Sequence, residues 1–144
     1  MNDRGAWATT ATFPPHPRNV ARSRLLTRTA LAAWGAQQLS DSAEMVVSEL
    51  VTNAVRYGCG PVSLALVLTA EALQISVSDG GPALPAPRDA RADEPGGRGL
   101  QIVETLCDGW QVTSRLTGKT VTCWLGGDRA AEPRPGPAGR HRRP

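Results

Sequence analysis

The sequence predicts an α+β fold, a two-layer sandwich in which one mixed β-sheet carries about three helices on one face. Three observations lead there. Apolar residues alternate with period two at Val62, Leu64, Leu66 and Leu68, and again at Leu73, Ile75 and Val77, the pattern of half-buried strands. They recur at helical spacing through Val46, Val47, Leu50, Val51, Ala54 and Val55, which makes one apolar arc on a helix. Glycines and prolines punctuate these runs, so that the elements read β-α-α-β-β-loop-α-β-β.

The elements follow in order. Residues 1–6 are expected to be a flexible N-terminus, and 7–126 the domain. Residues 7–13 suit a strand ended by Pro14, Pro15 and Pro17. A helix is expected from Arg18 to Trp34, with Val20, Leu25, Ala30, Leu31 and Trp34 as its apolar positions and Gly35 closing it. Ser40 or Asp41 is placed to cap a second helix, with Glu44 near the third position as in a capping box. That helix runs through Tyr57 and stops at Gly58-Cys59-Gly60-Pro61. After the two alternating strands, residues 80–98 hold Pro82, Pro85, Pro87 and Pro95 and read as a long loop. In a small domain such a length usually marks a lid. A third helix is expected from Gly99, with Leu100, Val103 and Leu106 on one stripe, then strands at about 110–116 and 119–125 joined at a turn containing Gly118. Residues 127–144 combine arginines and prolines with no Val, Leu, Ile, Met, Phe, Tyr or Trp, and read as a disordered basic tail.

Composition narrows the function. The chain has 144 residues, 40% of them hydrophobic but only 4% aromatic, so aliphatic side chains must fill a single core. The net charge of +3 sits in the tail, where Arg129, Arg134, Arg140, Arg142 and Arg143 outnumber Asp128 and Glu132. The body is charge-balanced and lacks the basic face that direct nucleic-acid binding needs. No apolar run reaches the ~18–20 residues of a membrane span, and the first residues lack the apolar stretch of a signal peptide. Cys59, Cys107 and Cys123 are odd in number and lack C-x-x-C spacing. They argue against a disulfide framework or a zinc site and suit a reducing cytoplasm.

Three stretches carry chemistry. On the second helix, Glu49 and Asn53 are one turn apart and stack at the edge of the apolar arc. A carboxylate there can act as general base, and an amide oxygen suits a hard cation such as Mg²⁺; an ordinary boundary helix is the plainer alternative. Asp79 continues the inward parity of Leu73, Ile75 and Val77 and precedes Gly80-Gly81. As an acceptor-only group it can receive a hydrogen bond from the exocyclic amine of a purine, or it can simply initiate a turn. Gly96-Gly97-Arg98-Gly99-Leu100 leads into the third helix, where N-terminal amides favour anions and Arg98 can meet a phosphate. No strand runs into these glycines, which excludes a Rossmann site. Lys119, the sole lysine, has no P-loop glycines before it.

Taken together, Glu49-Leu50-Val51-Thr52-Asn53-Ala54, Ser78-Asp79-Gly80-Gly81 and Gly97-Arg98-Gly99-Leu100-Gln101-Ile102-Val103 resemble the N, G1 and G2 boxes of the GHKL (Bergerat-type) ATP-binding superfamily. Gly118-Lys119-Thr120-Val121 resembles the threonine-bearing strand that closes such a site. The short layout looks most like the bacterial anti-sigma factor and serine-protein kinase branch. The resemblance implies ATP or ADP with Mg²⁺ as cofactors, Glu49 as catalytic base and Asn53 as metal ligand. It further implies Asp79 as the adenine anchor with Gly81 beside the base, Gly97, Arg98, Gly99 and Leu100 on the phosphate side, Thr120 near the adenine, and Arg22 as a partner contact. Ala83 stands where the G1 pattern has a second glycine, and Tyr57 where the N box often has His or Lys.

The implied function is an anti-sigma-factor-type protein serine/threonine kinase that phosphorylates a small antagonist protein and so regulates transcription, with a sigma factor or antagonist as partner and a homodimer as an option. The alternative is a catalytically weak or inactive module of the same fold that sequesters such a partner. One assignment hinges on strand parity: Val121, Cys123 and Leu125 alternate with Thr120, Thr122 and Trp124, and if the apolar set faces the helices, Thr120 leaves the site.

Overall fold

The computed structural model describes residues 5–81 and 101–126 in full, together with the backbone of 95–100. The first residues, the segment 82–94 of the expected lid with its Ala83, and the tail from 127 lie outside the described residues. The elements are β1 (Trp7–Phe13), α1 (Arg18–Ala33), a 3₁₀ turn (Gln37–Leu39), α2 (Ser40–Tyr57), β2 (Val62–Leu68), β3 (Ala72–Asp79), α3 (Pro95–Leu106), β4 (Gly109–Arg115) and β5 (Gly118–Gly126). Helix α3 opens at Pro95, not at Gly99 as expected. A proline is pre-shaped for the first helical position, where its missing N–H would have no partner anyway.

The five strands form one sheet in the order β1-β2-β3-β5-β4. The α+β class is as expected, but the sheet is antiparallel at every neighbouring pair, not mixed. Strands β3 and β4 run in the same direction across α3 and would make a parallel pair if they touched. Instead β5 turns back and inserts between them.

Register explains the core. Leu64 lies opposite Ala11 and Val77, and Leu66 opposite Thr9 and Ile75. Ile75 in turn meets Cys123, and Val77 meets Val121. This face turns toward the helices, whose Leu31, Val46, Val47, Val51 and Val103 are fully buried with Leu64, Leu66, Leu73 and Ile75. Each such side chain contributes about 1.5–3 kcal/mol. The other face carries hydroxyl pairs, Thr12 with Ser63 at 3.0 Å, Ser76 with Thr122 at 3.2 Å and Ser78 with Thr120 at 2.8 Å. There Trp124 Nε1 also donates to Gln74 Oε1 at 3.2 Å.

Helix α1 departs from its expected face. Leu25 is 56% exposed, and the buried stripe is Asn19, Ser23, Thr27, Ala30 and Leu31. These polar groups are satisfied locally, as burial requires. Asn19 Nδ2 donates to the Pro14 carbonyl at 2.8 Å, Ser23 Oγ to the Asn19 carbonyl at 2.6 Å and Thr27 Oγ1 to the Ser23 carbonyl at 2.8 Å. Beyond the helix, Trp34 stacks on Trp7 with ring centroids 6.2 Å apart.

The expected capping box does not form. The 3₁₀ turn runs straight into α2, so Leu39 takes the cap position and no side chain caps the helix. Ser40 Oγ donates instead to Glu44 Oε2 at 2.6 Å, and Arg28 holds the same carboxylate through Nε at 3.1 Å and Nη2 at 2.9 Å. The Arg28 hydrogen bond keeps the Glu44 carboxyl below its ordinary value, against a smaller opposing effect of burial. A lowered folded value stabilises above the unfolded value, about 4.3, and that stabilisation is lost as pH falls through the folded one. Arg28→Ala is therefore expected to lower the melting temperature by on the order of 1–3 °C at neutral pH. The difference should shrink toward about pH 2; an equal loss at both pH values would show that packing, not charge, joins these helices.

Candidate functional site

The site is built where α2 ends against the last residue of β3. The amide of Gly58 donates to the Ala54 carbonyl at 2.9 Å, closing the helix. A Cβ at Gly58 would stand 2.5 Å from both the Ala54 carbonyl oxygen and Asp79 Cγ. Only glycine lets the helix end lie this close to the carboxylate. Next to it, the Gly80 amide donates to the Cys59 carbonyl at 2.8 Å, which ties the loop after α2 to the end of β3.

Asp79 has the inward orientation its parity predicted, and it is buried. Its Oδ1 accepts the Gly81 amide at 2.6 Å, so it also initiates the turn. Its Oδ2 accepts from Lys119 Nζ at 3.0 Å. The two side chains are 3% and 9% exposed, a buried ion pair at the mouth of β3 and β5.

Lys119 was not among the residues expected here. The register sets it directly opposite Asp79, with Thr120 opposite Ser78. Because Val121, Cys123 and Leu125 belong to the face turned toward the helices, Lys119 shares their side of the sheet. Thr120 lies on the outer face, bonded to Ser78 Oγ at 2.8 Å. Its expected place beside the adenine does not hold: period two carries position 119 inward and 120 outward. The signal was present in the sequence as the alternation of 119 with the apolar set.

Glu49 and Asn53 are half-buried on α2. The Asn53 Oδ1 atom is buried with no hydrogen-bond partner among the described residues. An orphaned amide carbonyl is uncommon in a folded interior, and it is a hard oxygen donor of the kind Mg²⁺ takes. Among the described residues no three His, Cys, Asp or Glu side chains gather as a metal cage. A single amide oxygen fits the way Mg²⁺ is commonly held, through one or two protein oxygens plus phosphates and water.

Gly97, Arg98, Gly99 and Leu100 fall in the first turns of α3, which packs against α2. Because the helix opens at Pro95 and not at Gly99, Gly97 is among the first-turn residues whose amides lack a partner on the helix and can meet an anion, whereas Gly99 and Leu100 lie a turn further in; the side chains of all four lie outside what is described. Arg22 is on the exposed side of α1, with its Nη1 3.4 Å from Asn19 Oδ1. Cys123 stays a core thiol: a hydrogen bond with Cys107, and then burial, push it well above its ordinary value.

Residues 13–124 match the family described as the histidine kinase-like ATPase domain, and the chain belongs to it. The match runs from the end of β1 almost to the end of β5 and supports ATP as the ligand class. A search of curated proteins returned no match. Among the described residues, no helix is long and apolar enough to cross a membrane.

Proposed function

We propose that the chain is an ATP-dependent protein serine/threonine kinase of the anti-sigma-factor type, acting on a small antagonist protein. The observation that carries this reading is the buried, unpartnered carbonyl oxygen of Asn53, one helical turn from Glu49. Phosphoryl transfer asks for positioning and charge neutralisation more than for covalent chemistry by the protein. Asn53 Oδ1 would hold Mg²⁺, which when bound neutralises charge on the phosphates. The free amides in the first turn of α3, that of Gly97 among them, would orient the phosphates, with Arg98 as an added cation. Glu49 would accept the proton of the incoming serine as its Oγ bonds to the terminal phosphorus and the bond from phosphorus to the ADP oxygen breaks. Arg22 would contact the protein partner.

Labelled ATP offered with candidate antagonists tests this. Wild type should transfer label, and Glu49→Ala should lower the rate by about a hundredfold or more. Asn53→Ala should remove the dependence on Mg²⁺. Undiminished transfer by Glu49→Ala would sink the kinase reading.

The ion pair on Asp79 favours a second reading, a binding module that sequesters a sigma factor or antagonist. Partner capture by nucleotide-free protein, unchanged by ATP, would favour it over the kinase.

A further inference from the structure

Lys119 is the chain's sole lysine, and the proposed transfer does not use it. Its ammonium lies 3.0 Å from Asp79 Oδ2, while the Gly81 amide takes Oδ1 at 2.6 Å. The helix end at Gly58 and the strand start at Gly118 crowd the same aspartate so closely that neither position has room for a Cβ. Both charged side chains are almost fully buried, so the ammonium fills a donor position on the carboxylate that a ligand would otherwise take.

We propose that Lys119 is the specificity-determining residue of this site. Its ammonium occupies the face of Asp79 to which the exocyclic amine of adenine would donate, so adenine nucleotides bind in competition with an internal cation. The inference rests on the nucleotide reading above. A charged donor satisfies a buried carboxylate better than a neutral amine does, so the wild-type chain is a weak adenine binder. Without the ammonium, the adenine amine becomes the best donor within reach.

Equilibrium binding of ATP and of inosine triphosphate, which lacks that amine, tests the idea on wild type and Lys119→Thr. A hydrogen bond to a charged group is worth roughly ten- to a hundredfold in affinity. Lys119→Thr should gain about that much for ATP and nothing for inosine triphosphate. Equal gains for both nucleotides would overturn the inference, because they would report a loosened site and not a freed carboxylate. If folded wild type and folded Lys119→Thr both fail to bind ATP, the nucleotide reading itself falls.

A second measurement needs no variant. Lys119 carries the only side-chain amine, so an amine-directed acylating reagent, read by mass spectrometry on the peptide containing it, reports its exposure. ATP should accelerate its modification several-fold as the ammonium is expelled, and inosine triphosphate should not. ATP that binds while Lys119 reacts no faster would overturn the inference and leave ATP binding standing.

Discussion

Replacing Asp79 by alanine is expected to destabilise the domain by about 3–5 kcal/mol. The loss comes less from the missing contact than from what stays behind. Lys119 would keep its ammonium in a site where its side chain is 9% exposed, with its carboxylate partner gone. Domains of this kind hold only about 5–15 kcal/mol in all, so the variant would be near its limit. The double variant Asp79→Leu with Lys119→Met removes both charges and fills the space, and should recover most of the loss. Lys119→Thr alone should cost less than Asp79→Ala, because the carboxylate retains the Gly81 amide. Urea midpoints for the set, at unchanged slope, give the comparison. A loss below about 1 kcal/mol for Asp79→Ala would mean that water reaches the pair and that it behaves as a surface contact.

Gly118→Ala should be nearly as damaging, by roughly 2–4 kcal/mol. Two effects add. The residue has φ +149°, a conformation side chains rarely adopt, and a Cβ would run into the Asp79 carbonyl oxygen with the Gly80 Cα at 3.0 Å. Neither obstacle is the end of a flexible side chain, so backbone must move, and it is the backbone that aims Asp79. Gly35 is the control. It has φ +73° but nothing within 4 Å of its would-be Cβ, so Gly35→Ala should cost only about 1 kcal/mol. Thermal melts of both variants separate conformational strain from collision; similar losses would show that the crowding at Gly118 relaxes easily.

Much of this was legible in the sequence, for physical reasons that also explain what was not. Strands β2 and β3 announce themselves because one face is buried, and α2 because its apolar arc is wide. Asp79 could be placed from parity alone. Lys119 obeys the same parity, but a lysine reads as a surface residue until a carboxylate is known to stand across from it. The buried face of α1 was invisible to apolar periodicity, because Ser23 and Thr27 satisfy their hydroxyls on their own helix. The antiparallel sheet was missed because the insertion of β5 between β3 and β4 is a long-range choice that no local spacing records. Thr120 followed a motif, and the strand's alternation overrode it.

Strand β1 has one neighbour, β2, and both α1 and α2 separate them along the chain. The hairpins β2–β3 and β4–β5 join strands that follow one another directly, and such units close in about 1–10 μs. Closing β1 onto its neighbour must first bear the entropy of the long intervening loop, and distant contacts of this kind set the pace of folding. A growing polypeptide therefore leaves its first strand unpaired until residue 68 has left the ribosome.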